Sequence, residues 1–147
     1  MSDLLDKLKY KSEGDSLDLK REQYAFCGAN NYVKSELLKD ILAMANSWSQ
    51  ETRYIAIGAT EGKPPPHQFN GISPGLIDDA QLQQLVNKKT NKPIDFHYQE
   101  IDHNGDTIGL ITIPFQNRPF FLNKDYGKLF KNSVYVRRGS SLSLIHI

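Results

Sequence analysis

The chain has 147 residues, the length of one domain with enough material to bury a core. Charged residues make up 24% and hydrophobic residues 39%, an ordinary soluble-globular balance. A formal net charge of +1 excludes a strongly basic protein, so any nucleic-acid surface must be a local patch.

Residues 2–11 are predicted as a short amphipathic helix with Ser2 available as its cap. Leu17 to Lys20 alternates apolar and charged residues, as a strand does. Phe26 to Asn31 is predicted as a loop. The strongest helix pattern runs over 33–48, where Leu37, Leu38, Ile41, Leu42, Ala45 and Trp48 share one face. Arg53 to Ala59 reads as a central strand, because Ile55 and Ile57 on one side and Tyr54 and Ala56 on the other are all apolar. Lys63-Pro64-Pro65-Pro66 must be a stiff, exposed connection, since prolines lack the donor that helix and sheet require. Asp78 to Lys88 is a second helix, with Leu82, Leu85 and Val86 inward and acids at its N-terminus. Ile94 to Asp102 and Asp106 to Ile113 pair as a hairpin around Asn104-Gly105, a dipeptide that tolerates positive φ at both central positions. Arg118-Pro119 begins another extended piece, and Phe130 to Arg137 is the last strand. The elements lack a regular βαβ alternation. The expected fold is therefore α+β: a single mixed, mainly antiparallel sheet with two or three packed helices.

The last strand runs into Arg137-Arg138-Gly139-Ser140-Ser141. Such an ending delivers guanidinium groups and backbone N–H groups to one sheet edge, where a phosphate fits. Arg137 and Arg138 must point to opposite faces, so at most one shares the face of Lys131 and Tyr135. Around them lie Arg118, Lys124, Lys128 and Lys131, against Asp125 alone between residues 118 and 138. Phe115, Phe120, Phe121, Tyr126, Phe130 and Tyr135 interleave with these cations, and exposed rings stack on bases. Most of these rings are expected in the core, with Tyr126 and Tyr135 left exposed. A strand end that is merely solvated is the competing reading.

Glu13, Asp18 and Glu61 form a second constellation. Hard cations such as Mg²⁺ or Mn²⁺ take oxygen ligands, and two-metal nucleases gather carboxylates around them. If the strands at 17–20 and 53–59 are neighbours, these carboxylates converge; otherwise they are solvated turn and strand positions. His67, His97 and His103 share no spacing, and no nucleophile elbow or phosphate-binding loop is present. The single Cys27 cannot form an internal disulfide. No apolar run approaches a membrane span, and Met1 to Asp6 lacks a signal-peptide pattern. The expected location is the cytoplasm.

Read in order, four segments resemble the Schlafen-type AlbA domain family. They are Glu13-x4-Asp18-Leu19-Lys20, Ile41-Leu42-Ala43-Met44-Ala45-Asn46, Tyr54-Ile55-Ala56-Ile57-Gly58 with Phe69-Asn70-Gly71-Ile72, and Arg118-Pro119 leading to Val134 through Ser141. The resemblance covers roughly residues 12 to 141. It implies a helix-packed sheet that binds nucleic acid, often at the front of bacterial regulatory or defence proteins. In animal Schlafens two such lobes form a groove for structured RNA, and some cleave RNA through acidic residues; a single lobe is thus expected to form a homodimer. Carried over, the acidic residues match Glu13, Asp18 and, near the Gly58–Glu61 turn, Glu61. The chain departs from the family pattern with Asp at 18 and Thr at 60. The domain is expected to span 1–141, with 142–147 a truncated or non-native tail.

The reading is a nucleic-acid-binding domain that grips the RNA or DNA backbone through Lys20, Arg118, Lys131, Tyr135, Arg137, Arg138, Gly139 and Ser140, with no membrane partner. The alternatives are a Mg²⁺- or Mn²⁺-dependent endoribonuclease using Glu13, Asp18 and Glu61, and a protein-interaction or dimerisation module.

Overall fold

The computed structural model describes residues 2–26, 28–139 and 141–146. Cys27 and Ser140 lie outside the described residues. In chain order the elements are α1 (Ser2–Lys9), β1 (Leu17–Lys20), α2 (Asn31–Ala45), β2 (Arg53–Ile57), β3 (Ala59–Thr60) and β4 (Gln68–Phe69). Then come α3 (Asp79–Lys89), β5 (His97–His103), β6 (Asp106–Ile113), β7 (Ser133–Arg138) and β8 (Ser141–His146). The fold is α+β. Its main sheet has four strands in the order β1-β2-β6-β5, mixed because β1 runs parallel to β2 and the other pairs are antiparallel. Two small ribbons, β3-β4 and β7-β8, stand beside it.

Period-two alternation decides the layering. Ile55 and Ile57 of β2, with Ile111 and Ile113 of β6, pack against Leu38, Ile41 and Leu42 of α2 and Leu82 and Val86 of α3. Ala56, Leu110 and Leu17 turn to the opposite face and meet Leu5 and Leu8 of α1. Both faces of β2 are thus covered, as its apolar alternation requires. The β5-β6 turn has Asn104 at φ 53° and Gly105 at φ 89°, the left-handed pair expected of a two-residue hairpin.

Some element ends differ from the sequence pattern. The strand expected through Ala59 stops at Ile57 because Gly58 takes φ 97°, its N–H bonding Lys20 O at 2.7 Å while its carbonyl accepts from Asn70 and Gly71. Helix α2 begins at the Asn30 cap, whose side chain accepts from Val33 N at 3.0 Å. It ends at Ala45, short of the expected residue 48. Asn46 is buried there, and its amide donates to Phe120 O at 2.9 Å and Tyr135 O at 3.0 Å while accepting from Phe120 N at 2.7 Å. These bonds seize the chain just past the helix and fasten it to β7. Trp48, expected on the buried face of α2, consequently emerges at the surface, 57% exposed. Residues 142–146, expected to lie past the domain, belong with Ser141 to β8, which pairs with β7 from Arg138↔Ser141 to Ser133↔His146. Among the described residues no helix is long and apolar enough to cross a membrane.

Candidate nucleic-acid interface

Strand β1 lies at an edge of the main sheet and turns Leu17 and Leu19 toward α1. The alternate residues, Asp18 and Lys20, therefore face α2 and β7. Asp18 is buried, and a buried carboxylate demands charged or donor partners. Arg137 Nη1 from β7 stands 3.2 Å from its Oδ1, and Lys20 Nζ stands 3.2 Å from its Oδ2. Lys20 also reaches Asp40 Oδ2 of α2 at 3.4 Å, and the Tyr24 hydroxyl donates to the same carboxylate. The result is a chain, Arg137–Asp18–Lys20–Asp40–Tyr24, that ties three elements together. Burial works against the Lys20 ammonium, but Asp40 and Asp18 more than offset it and hold its pKa above the ordinary value. Burial raises Asp40 beyond what Lys20 and Tyr24 restore. Burial, then the Asp40 charge, pushes Tyr24 well up.

Glu13 accepts a hydrogen bond from Leu19 N at 2.9 Å, fixing its carboxylate at the start of β1. Burial holds its pKa above the ordinary value; Asp18 and Glu61 add to this, while the Leu19 N–H and Arg137 oppose it. Strands β1 and β2 are indeed neighbours, and Glu13 and Glu61 line one cavity of about 310 Å³ with Lys63 and His67. His67 is buried, its Nδ1 accepting from Gly62 N at 2.9 Å, which leaves the proton on Nε2 facing Lys11 O. Glu61 pairs with Lys63 at 3.6 Å. Asp18 does not line this cavity; it is engaged with Arg137 and Lys20. Among the described residues no group of three or more His, Cys, Asp or Glu side chains is gathered to hold a metal ion.

The other side of β7 has a different character. Arg138 lays its guanidinium 4.4 Å from the centroid of the Trp48 ring. Exposed Arg118 and Pro119, with Trp48, Asn46, Val134 and Val136, line a cavity of about 380 Å³. Beneath it Arg53 is fully buried, donating from Nη2 to Ser47 O at 2.8 Å and to Ser49 O, with its guanidinium 5.2 Å from the Phe115 ring. Arg118 Nη1 donates to the same Ser47 carbonyl at 3.4 Å. Burial, then the Arg118 charge, pulls the Arg53 pKa below the usual arginine value. Carbonyl oxygens accept from the Nη atoms of Arg53 and Arg118 without cancelling their charge, while buried Arg53 Nε has no hydrogen-bond partner among the described residues.

The predicted residues thus divide. Arg137 and Lys20 meet Asp18, while Arg138 and Arg118 flank Trp48. Gly139, at φ 59°, supplies the expected turn, but its N–H donates to the Asp15 carboxylate and its carbonyl accepts from Arg137 Nε at 2.9 Å. It is not a free donor. Lys131 is exposed but precedes β7, roughly 20 Å of extended chain from Arg138. Tyr126 and Tyr135, expected at the surface, are each 5% exposed. Tyr135 shares the inward face of β7, and its hydroxyl is satisfied by Phe130 N at 3.0 Å. Phe115, Phe130 and Trp48 are exposed instead, as are Tyr10 and Tyr32 elsewhere on the surface. Helical spacing alone puts Trp48 on the core stripe and hides it as a surface ring. The signal against that placement is Ala45-Asn46-Ser47, in which a capping residue and a serine follow the last small apolar residue.

This is an α+β domain in which a two-stranded ribbon presents cations on both of its sides, one side facing carboxylates and the other an aromatic ring. The chain belongs to the Schlafen, AlbA_2 family, whose profile matches residues 9–145. Among solved structures it is similar to the N-terminal domain of a protein of Nitrosomonas europaea described as a putative ATP-dependent DNA helicase RecG-related protein. That likeness has a TM-score of 0.53 at 17% identity, covering 83% of this chain and 79% of that one. It is also similar to the DIP2311 protein of Corynebacterium diphtheriae, with a TM-score of 0.59 and 16% identity over 97% of this chain. The match spans 25% of that longer protein. At these identities the two likenesses speak for the fold. No curated protein matches the chain.

Proposed function

We propose that this domain binds RNA or DNA through the phosphate backbone, with Arg118 and Arg138 as the principal contacts and the Asp18 network as the support that holds β7 in place. The observation that carries this reading is the pair of exposed guanidiniums flanking Trp48 on a chain whose overall charge is only +1. Guanidinium forks match phosphate oxygens, and such contacts need no sequence readout. Lys20 and Arg137 act here as positioning residues, because their charges are engaged by Asp18 and Asp40. Membership of the Schlafen AlbA_2 family supports a nucleic-acid role, and the domain would dock a larger cytoplasmic protein onto its target.

Fluorescence anisotropy with labelled oligonucleotides tests this. The expected result is binding whose affinity falls steeply with salt. Arg118→Glu combined with Arg138→Glu should weaken it at least tenfold and flatten the salt dependence by about one unit of slope for each phosphate no longer held. Unchanged affinity in that folded double variant overturns the assignment. Incubation of structured RNA with Mg²⁺ or Mn²⁺ is expected to give binding without scission. Cleavage that Asp18→Asn abolishes in a folded protein would replace this reading with the ribonuclease one, which rests on Glu13 and Glu61 lining one cavity.

A further inference from the structure

The cavity under Trp48 has a composition that phosphate contacts alone do not call for. It is lined by the indole, Pro119, Val134 and Val136, all apolar, together with Asn46 and exposed Arg118. Its volume of about 380 Å³ is at the small end of ligand pockets, suited to one ring system and far too small for a groove of duplex. A large aromatic ring in a solvent-exposed position has a hydrophobic cost, yet here the ring is held by a cation–π contact with Arg138 at 4.4 Å. Arg118 at the rim is joined by buried Arg53, whose charge lies behind the Ser47 carbonyl they share. An occupant must therefore present a flat apolar face inward and negative charge outward.

We infer that this cavity receives one unstacked nucleobase of a single-stranded RNA or DNA, stacked against Trp48, with its flanking phosphates on Arg118 and Arg138. The inference rests on the backbone-binding reading and adds to it a preference for single strands, since a base inside a duplex cannot leave its stack without cost. Stacking on a ring is tolerant of base identity, so the pocket discriminates strandedness and not sequence.

Trp48 is the single tryptophan of the chain, so its emission reports the pocket directly. Titrating the intact protein at low salt with short labelled oligothymidylate and oligouridylate should quench that emission. An abasic strand of equal length should bind by anisotropy without quenching. Trp48→Ala should weaken the base-bearing strands roughly tenfold or more and weaken the abasic strand and a blunt duplex far less. Trp48→Phe should recover part of the loss. Equal quenching by the abasic strand, or equal weakening of duplex and single strand by Trp48→Ala, overturns the pocket while leaving backbone binding intact. Absence of binding by any strand or duplex to the wild-type protein overturns both.

Discussion

Arg137 and Arg138 are adjacent in the chain and chemically identical, yet they belong to opposite environments. Arg137 points inward, where its guanidinium meets buried Asp18 and closes a network of alternating charges. Arg138 points outward onto an aromatic ring beside exposed Arg118. The inner side is built to hold β7 against β1 and α2, and its positive charge is taken up in doing so. On the outer side both cations are exposed, Arg138 over an indole and Arg118 bonded to a backbone carbonyl. The contrast teaches that a basic strand end is two surfaces, and that the solvent-facing one is where a polyanion can approach.

The largest expected effect falls on the inner side. Arg137→Ala strips one partner from a buried carboxylate, and the cost of such a loss is about 3 kcal/mol in urea denaturation, with Lys20 left to moderate it. A loss below about 0.5 kcal/mol would erase the distinction between the two sides. Next comes Asn46→Ala, which deletes the buried hydrogen bonds that join the end of α2 to Phe120 and to β7. It should cost about 2 kcal/mol and blur the contrast by loosening both sides at once.

A smaller effect separates them by pH. Burial, reinforced by Asp18 and Glu61, keeps the Glu13 pKa above 4.5 in the folded protein. The native state thus holds a proton that the unfolded chain has released, and this contribution to stability falls as pH rises from 4.5 through the folded value. Glu13→Gln keeps an acceptor for Leu19 N and removes the titration. Its urea midpoint should therefore gain on the wild type between pH 4 and pH 7, and a constant difference would show that Glu13 is not under this strain. The smallest effect belongs to the outer side: Trp48→Ala should change stability by less than about 0.5 kcal/mol, since the ring is mostly in solvent. Thermal melts monitored by circular dichroism check it.

Much of this architecture is legible without coordinates. The two-sided apolar alternation of residues 53–57 marks a central strand, Asn104-Gly105 marks the hairpin, and the leucine and isoleucine stripe marks α2. These signals are local and periodic, so the chain itself carries them. Where α2 stops depends on distant groups, because Asn46 is captured by Phe120 and Tyr135. That one capture turns Trp48 from a core residue into a surface ring.

The linear chain determined which residues alternate, which cations cluster and which family pattern they follow. Only the tertiary structure decided which arginine is locked to a carboxylate and which lies over an aromatic ring. Asp18 and Arg137 lie 119 positions apart, as their numbers show, and meet only because β1 and β7 converge on α2. Charge pairing across such a separation follows from packing and burial, and no local spacing encodes it.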